Sequence, residues 1–348
     1  MDTIYLMNSY ISNNGEGIAT YSNNLYNELS LRGLNVKKIE IEKYFKKSKI
    51  PFSKTIKRKL YFTIHYNLIK NKNIHVMSTG VLPKNKINLP KKKIITVHDL
   101  YVFNDSYLDD RYSNQNFIYN IYTKYLLEKQ RKEHYYIKLY DYVIALNDQV
   151  KDTLIKKFDV DKNKIETIYN IIPNKFIPLD KKRNDISVIG FINNFRENKI
   201  SKLKKFIEIF QKIKDKKIEF HIYGKNFPFL QLIKEDPRIK YFGFLPEEKI
   251  VETYNSFDCY LSTSTIEGFG IPIMQAKACK VPVLCYDGDI PEIVKRNTLI
   301  WNDNNLEEIL KNRAWEKIDV EKAYLDAEEC RADKVVLKTM NIYNKIFS

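Results

Sequence analysis

The sequence is poor in the residues that interrupt or cross-link a chain. Its 348 residues include 10 Gly, 11 Pro and 4 Cys, so there is no Gly-rich or Pro-rich linker. The cysteines lie in the last third and form no C-x-x-C pair, a pattern that signals neither a disulfide framework nor a zinc ribbon. They are Cys259, Cys279, Cys285 and Cys330. A reducing, cytoplasmic setting is therefore expected.

Long apolar runs are also missing. No stretch approaches the ~20 apolar residues that a membrane-spanning helix needs. Strand-like sequence begins directly after Asp2, so we expect neither an integral membrane protein nor a targeting segment ahead of the fold. The motifs of nucleic-acid binders, such as an aromatic RNP sequence or a zinc finger, are absent as well. What the chain does have is 44% hydrophobic residues, which is enough for two domains of roughly 150 residues each.

Positive charge is in excess and is unevenly distributed. The chain has 59 Lys and Arg against 43 Asp and Glu, a net charge of +16; counting along the sequence gives +12 for residues 1–180 and +4 for residues 181–348. Polyanionic partners are expected: nucleic acid, anionic lipid or nucleotide phosphates. The densest basic segment, residues 43–59, contains no acidic residue. It fits an anionic membrane surface and fits equally a solvated loop in a Lys-rich chain.

Short apolar segments alternate with amphipathic ones along most of the chain. This order predicts an α/β fold in which parallel sheets carry helices on both faces. The predicted strands are 3–7, 36–41, 74–77, 94–97, 142–145, 166–169, 186–191, 219–223, 240–243, 259–262 and 281–285. The predicted helices are 18–32, 199–213, 246–254, 272–279 and 333–347.

A segment with two prolines, a charge run and no periodicity, residues 172–185, predicts a linker. The chain therefore divides into a first domain at 1–171, the linker at 172–185, a second domain at 186–332 and a terminal helix at 333–348. Each domain is predicted to be doubly wound and Rossmann-like. Ligands in such sheets bind beyond the carboxyl ends of the strands, so the expected site is a central cleft between the two domains.

Residues 262–283, STSTIEGFGIPIMQAKACKVPV, contain the most informative motif. A strand ends near Ser262, a loop with Gly268 and Gly270 follows, and Pro272 stands where a helix begins. The amides and dipole of such a helix start form an anion site, and glycines let the backbone approach a ligand closely. A diphosphate fits there. The alternative from spacing alone is an ordinary tight turn of an α/β unit.

Several fragments of the chain, in order, resemble one enzyme family. EGFGIPIMQAKACKVPVL resembles the donor-binding motif of GT-B glycosyltransferases of the retaining family 4, written EGFG-x-P, a second Glu, then A-x-A-x-G-x-PV. GEGIA at 15–19, TVHDL at 96–100, VIALNDQVKDTL at 143–154, IYNIIPNKF at 168–176 and VIGFINNFRENK at 188–199 agree with it. The resemblance implies an acceptor-side first domain, a nucleotide-sugar-binding second domain and a terminal helix packing on the first.

The resemblance assigns roles to residues of the motif. Glu267 matches the first motif Glu, which contacts the donor sugar, and the amides of Phe269, Gly270 and Ile271 would meet sugar hydroxyls and phosphate. Gln275 matches the second Glu, which binds the ribose hydroxyls. Here the sequence departs from the pattern, because an amide loses the stronger charge-assisted hydrogen bond of a carboxylate.

The resemblance also implies a basic pair at the diphosphate. Phe191 stands at the position of the usual Arg, Lys199 matches the Lys, and Arg196 is either a shifted substitute or a surface residue. Gly15 and Gly17 match the loop that lies beside the donor phosphates.

His98 matches the family's active-site histidine near the donor sugar and the reaction centre. Without the resemblance, a single His after an apolar strand is more often structural. Asp99 is a candidate either to orient the imidazole or to cap the following segment.

The resemblance implies a retaining glycosyltransferase. It takes a nucleotide sugar, UDP-linked in preference to GDP-linked, and transfers the sugar to a glycan or lipid-linked acceptor in cell-surface polysaccharide or glycoconjugate synthesis. No cofactor and no obligatory metal are expected, since no DxD-like cluster stands at a strand end. We expect a cytoplasmic protein, peripheral on the inner membrane face if its basic first half binds anionic lipid. The alternatives are a non-catalytic glycosyltransferase-like protein and, on charge alone, a nucleic-acid binder.

Overall fold

The computed structural model describes residues 2–8, 17–40, 68–77, 82, 84–85, 87–103, 127–129, 131–180, 185–193, 195 and 197–348. These residues form two compact units. The first contains the described residues up to Ile171 together with Ala332–Ser348, and the second contains Ile172–Arg331.

Strands and helices alternate in both units. The strands are β1 (Ile4–Asn8), β2 (Val36–Glu40), β3 (Asn73–Val76), β4 (Lys92–Val97), β5 (Tyr142–Ala145), β6 (Ile165–Thr167), β7 (Ser187–Ile192), β8 (Ile218–Tyr223), β9 (Ile239–Gly243), β10 (Cys259–Ser262), β11 (Val283–Tyr286) and β12 (Leu299–Trp301). The helices include α1 (Gly17–Leu31), α2 (Asp148–Phe158), α3 (Glu197–Phe210), α4 (Leu230–Ile233), α5 (Ile250–Ser256), α6 (Ile271–Ala278), α7 (Glu292–Lys295), α8 (Leu306–Lys311), α9 (Val320–Glu328) and α10 (Ala332–Phe347).

The first unit contains a six-stranded parallel sheet in the order β2-β1-β3-β4-β5-β6. Its inner strands β3 and β5 are buried at every residue, as parallel strands covered on both faces should be. Helix α1 buries Tyr21, Leu25 and Leu29, which recur at helical spacing. Helix α2 is capped by Asn147, whose side chain accepts from Val150 N at 2.8 Å.

Helix α10 packs within the first unit, although it is the last element of the chain. Arg32, directly after α1, contacts Asp333, and Tyr343 is fully buried. Its ring lies 5.6 Å from the ring of His75 on β3. The C-terminal helix therefore covers part of the first sheet.

The second unit contains a six-stranded parallel sheet in the order β12-β11-β10-β7-β8-β9. Numbered from its own first strand, this is the 3-2-1-4-5-6 order of the Rossmann fold. Its hydrophobic core contains residues of α3, residues of the strands and both tryptophans of the chain, Trp301 and Trp315. Gly190 on β7 makes room for the Phe257 ring, because a Cβ there would lie 2.2 Å from Phe257 Cδ2.

The predicted α/β class with parallel sheets is confirmed, and the predicted strands lie within about two residues of the observed ones. Strand β12 was not predicted. The helix predicted at 246–254 is a 3-10 turn, Glu247–Lys249, followed by α5. Within the segment predicted as a linker, residues 172–180 belong to the second unit: Phe176 is buried, and Leu179 N donates to Asn255 Oδ1 at 2.8 Å.

Candidate active site

The strand order of the second unit singles out one crevice. The connections run outward in opposite directions from β7 and β10, which are neighbours in the sheet. In a parallel sheet such a switch point, at the carboxyl ends of the strands, is where ligands bind. The turn that follows β10 and helix α3, which follows β7, both begin at this edge. The EGFG motif therefore lies where the topology favours a ligand.

The turn after β10 depends on a glycine. Gly270 precedes α6 with φ 87° and ψ 48°, a left-handed conformation that favours glycine. A Cβ at Gly270 would also lie only 3.0 Å from Val294 Cγ1. Pro272 occupies the first turn of α6, where the missing N–H costs no helical hydrogen bond. The positive end of the α6 dipole is thus directed at the turn, which suits a phosphate group.

Glu267 is held in place on this turn. Ser264, which is buried, donates from Oγ to Glu267 Oε1 at 2.7 Å. The Glu267 backbone N–H donates to the carbonyl of Asp289 at 3.1 Å, and Asp289 N donates to Thr265 O at 2.9 Å. These backbone hydrogen bonds join the loop between β11 and α7 to the loop between β10 and α6. They therefore hold the turn that carries the half-buried Glu267 carboxylate.

The amides that the resemblance assigns to the ligand lie at the same place. Phe269 is buried, with 4% of its surface exposed, and so anchors the turn. Ile271 is the first residue of α6, and the first amides of any helix have no acceptor within it. The motif thus combines a buried aromatic anchor with the first residues of a helix.

Gln275 lies one turn into α6 and is half-buried. Its Oε1 accepts a hydrogen bond from the hydroxyl of Tyr254, on α5, at 3.1 Å. Burial raises the pKa of Tyr254 well above its usual value, so this hydroxyl keeps its proton and donates. This hydrogen bond therefore orients the carboxamide of Gln275, with its oxygen toward Tyr254.

The cations predicted for the diphosphate are only partly described. Arg196 and the side chain of Lys199 lie outside the described residues, and the backbone of Lys199 lies in the first turn of α3. Phe191, at the position of the usual Arg, is 1% exposed and packs on Phe195 with ring centroids 6.1 Å apart. Its side chain belongs to the core of the second unit.

In the first unit, His98 directly follows β4 at the carboxyl edge of the sheet. Its Nε2 donates to the carbonyl of Met77 at 3.2 Å, and its ring meets that of Tyr21 edge-on, with centroids 4.9 Å apart. Burial lowers the pKa of His98 to about 4. The imidazole is therefore neutral at pH 7, with its proton on Nε2 and a lone pair on Nδ1.

The structure describes some, but not all, of the other residues that the resemblance places at the site in the first unit. Gly17 is the first residue of α1, and Gly15 lies outside the described residues. Asp99 Oδ1 accepts from Tyr101 N at 3.3 Å, so Asp99 caps the 3-10 turn Tyr101–Phe103. Capping was one of the two roles considered for it.

Sequence reasoning missed a buried ion pair that supports α6. Lys277 is fully buried, and its Nζ contacts Asp326 Oδ2 on α9 at 3.0 Å and the carbonyl of Arg296 at 2.6 Å. Asp326 also accepts from Arg296 Nε at 2.6 Å and from Asn297 Nδ2 at 3.0 Å. Burial lowers the pKa of Lys277, while Asp326 opposes that shift. A lysine flanked by alanines on a short apolar helix was the available signal.

Within the described ranges, no three or more His, Cys, Asp or Glu residues are grouped so that they could hold a metal ion. Nor does that part of the chain contain a helix long and apolar enough to cross a bilayer. The described cysteines are all buried.

The chain is similar to known proteins along most of its length. The family model described as Glycosyltransferase Family 4 matches residues 17–175, and the one described as Glycosyl transferases group 1 matches residues 186–314. A Salmonella typhimurium relative, O-antigen chain mannosyltransferase RfbU, is 28% identical over 235 residues, 63% of this chain and 59% of that protein. The aligned parts span 32%, 59% and 48% of the lengths of three curated relatives, RfbU among them.

Solved structures share the fold at low identity. Sucrose-phosphate synthase from Thermosynechococcus elongatus has a TM-score of 0.75 at 16% identity, covering 99% of this chain and 98% of that one. Anabaena HepE in complex with UDP and glucose has a TM-score of 0.64 at 12% identity, covering 99% of each chain. With two consecutive family matches and two six-stranded parallel sheets, the chain belongs to the family 4, group 1 glycosyltransferases and has the GT-B fold.

Proposed function

We propose that the protein is a retaining glycosyltransferase that moves a sugar from a nucleotide sugar to a glycan or lipid-linked acceptor in cell-surface polysaccharide or glycoconjugate synthesis. The observation that carries the proposal is the turn at Gly270, which brings Glu267 and the start of α6 together beside the switch point of the second sheet. The similarity to RfbU, an O-antigen chain mannosyltransferase, supports the class of acceptor.

The chemistry of glycosyl transfer explains this arrangement. Cleavage of the anomeric bond leaves negative charge on the departing diphosphate, and fixed donors stabilise such charge most when they need not reorganise. The amides at the start of α6 are held by the Gly270 turn, and Glu267 is held by Ser264. We assign the diphosphate to these amides with Lys199 and Arg196, and the donor sugar to Glu267.

The neutral state of His98 fits the role that the family resemblance gives it. With the proton on Nε2 directed at Met77 O, Nδ1 can accept a hydrogen bond from a sugar hydroxyl. A protonated imidazole could not do so. We therefore assign His98 to a hydroxyl of the donor sugar and expect no divalent metal to be needed.

We propose UDP rather than GDP as the nucleotide, which is supported by the UDP complex of Anabaena HepE. A cytoplasmic location with peripheral attachment to anionic membrane is proposed from the net charge of the first half. Residues 43–59, the densest basic segment, lie outside the described residues.

The first experiment is a thermal-shift screen against UDP, GDP, ADP and their common sugar conjugates, with and without EDTA. A ligand that binds only the folded state raises the melting temperature, by RT ln(1 + [L]/Kd) in free energy. A shift with UDP that persists in EDTA and is lost in Glu267→Ala and Lys199→Ala is expected. NMR of the product's anomeric configuration then tests retention, and UDP release in the presence of acceptor glycans tests transfer.

The departures at Gln275 and Phe191 favour one competing function, a non-catalytic glycosyltransferase-like protein. Phe191 is part of the core and supplies no cation, and Gln275 supplies no charge. If no nucleotide raises the melting temperature, this alternative is supported and the enzyme proposal is contradicted. Binding to anionic vesicles would then be the next measurement.

A further inference from the structure

A chain of four buried polar side chains crosses the first unit beneath His98. The hydroxyl of Tyr343 on α10 lies 2.6 Å from His75 Nδ1, and His75 Nε2 lies 2.7 Å from Thr96 Oγ1. Thr96 Oγ1 in turn lies 3.2 Å from the hydroxyl of Tyr21 on α1. We call Tyr21, Thr96, His75 and Tyr343 the buried chain. It links two helices through two strands of the sheet.

All four members have 0% of their surface exposed. Unpaired polar groups at that depth would each cost about 1–3 kcal/mol, so their mutual hydrogen bonds hold the side chains tightly. Burial, and then the proximity of His98, lower the pKa of His75 to about 3. His75 is therefore neutral at pH 7, and both of its ring nitrogens are engaged.

The protons of the buried chain allow only ordered arrangements. Four neutral groups carry one mobile proton each, and three hydrogen bonds use three of them. If Tyr343 donates to His75 Nδ1, then Nε2 carries the imidazole proton and donates to Thr96. If His75 donates to Tyr343, then Thr96 must donate to Nε2. A change at Tyr343 therefore alters the hydrogen bond available at Thr96 and Tyr21, which is how such networks act cooperatively.

At its Tyr21 end the buried chain contacts His98, the histidine that the proposed function assigns to the donor sugar. The Tyr21 ring, fixed by its hydroxyl at Thr96, meets the His98 ring at an interplanar angle of 88° and a centroid distance of 4.9 Å. His98 is also held by the hydrogen bond from its Nε2 to Met77 O. Two contacts thus set the plane of the imidazole, and one of them depends on the buried chain. Edge-to-face aromatic contacts of this kind favour one ring orientation.

We propose that Tyr21 is a positioning residue for His98, and that Thr96, His75 and Tyr343 hold it, so that the C-terminal helix α10 takes part in orienting the active-site imidazole. The part of this inference that concerns catalysis rests on the proposed function. The part that concerns orientation does not, because the geometry of His98 can be observed without substrate.

The test uses the full chain labelled with ¹⁵N-histidine. The His98 resonances are assigned with His98→Asn, and they report both the tautomer and the ring environment. Tyr21→Phe removes the hydroxyl but keeps the ring, and Tyr343→Phe removes the far end of the buried chain. Thr96→Val removes the middle link if Tyr21→Phe fails to fold. The matched control is Tyr140→Phe, a fully buried tyrosine of the same unit whose hydroxyl instead accepts from Leu82 N at 3.0 Å.

We expect Tyr21→Phe and Tyr343→Phe to shift the His98 nitrogen resonances, and Tyr140→Phe to leave them in place. If transfer activity is established, the same two variants should lower kcat about tenfold with little change in the donor KM, since misplaced groups slow the reaction more than they weaken binding. Unchanged His98 resonances in Tyr21→Phe or Thr96→Val would overturn the proposal. Unchanged resonances in Tyr343→Phe would overturn the part concerning α10. A failed glycosyltransferase assay would contradict the proposed function and leave the NMR result to decide the orientation.

Discussion

The hydroxyl of Tyr254 donates a hydrogen bond to Oε1 of Gln275 at 3.1 Å. Tyr254 is buried on α5, whereas Gln275 is half-buried on α6. The contact therefore orients Gln275, the residue that stands in place of the family's second Glu, from the protein interior. A carboxylate could accept the same hydrogen bond, so Tyr254 would support either residue at position 275.

This relationship predicts that Gln275→Glu tightens nucleotide binding. A carboxylate accepts stronger hydrogen bonds than an amide, and a gain of about 1 kcal/mol at a ribose hydroxyl corresponds to roughly fivefold in Kd. Isothermal titration with UDP measures the change. The gain should persist in a Tyr254→Phe background, because it comes from the ribose. Equal affinities for the two residues would mean that position 275 does not touch the nucleotide.

The turn at Gly270 predicts a second effect. Gly270→Ala places a Cβ at positive φ and 3.0 Å from Val294, so the turn must shift. We expect a loss of about 1–2 kcal/mol in stability together with a loss of nucleotide binding. Gly243→Ala is the control, because Gly243 has φ 74° with nothing within 4 Å of its Cβ. It should show backbone strain alone; equal weakening of UDP binding in both variants would contradict a specific role for the Gly270 turn.

Much of the second unit could be predicted from the sequence because its signals are local. Strand β10, the glycine turn and the start of α6 follow one another within a few residues, and alternating burial repeats along β8. Helix bounds were less predictable: α3 ends at Phe210 rather than near 213, where Arg238, distant in sequence, donates to the carbonyls of Phe210 and Ile213. The three-residue strand β12 carries too short a pattern to detect.

The buried polar contacts could not be predicted, since they join residues distant in sequence. His75 and Tyr343 are separated by 268 positions, and Lys277 and Asp326 by 49. No spacing marks such partners. Phe191 shows the reverse case: its motif position suggested the phosphate site, but its apolar side chain packs in the core.

The ion pair of Lys277 and Asp326 predicts unequal effects of removing each partner. Asp326→Asn removes the carboxylate that compensates the fully buried Lys277, so we expect a loss of about 3–5 kcal/mol. Lys277→Met should cost less, because Arg296 and Asn297 still bind Asp326. Urea unfolding followed by tryptophan fluorescence measures this in the second unit, where both tryptophans lie. Equal losses in the two variants would show that Lys277 alone compensates Asp326. The control is Glu321→Gln, which removes an exposed partner of Lys280 and should be nearly neutral.

The residue after α6 predicts a stabilising substitution. Lys280 has φ 54°, where the family pattern has glycine. Lys280→Gly removes left-handed strain of about 1 kcal/mol, but it also removes the partly exposed ion pair with Glu321 at 2.7 Å. We therefore expect the melting temperature to rise most clearly in a Glu321→Gln background, where that pair is already absent. A fall in both backgrounds would mean that contacts of the lysine stem outweigh the backbone strain.

Two of the buried histidines of the first unit, His75 and His98, predict how its stability depends on pH. Burial lowers the pKa of His75 to about 3 and that of His98 to about 4, whereas both should titrate near 6.5 when the chain is unfolded. Below pH ~6.5 the unfolded state therefore binds protons that the folded state does not, and this stabilisation is complete above that pH. The free energy of unfolding should fall by about 1.4 kcal/mol per pH unit for each histidine as the pH is lowered from there toward 4. Urea unfolding by circular dichroism at about pH 7 and pH 5.5 measures the slope, since most carboxylates are still ionised in that interval. His98→Asn should reduce this slope by the contribution of one histidine. An unchanged slope would show that His98 binds protons as readily in the folded state as in the unfolded state, which would contradict its burial against Tyr21 and Met77.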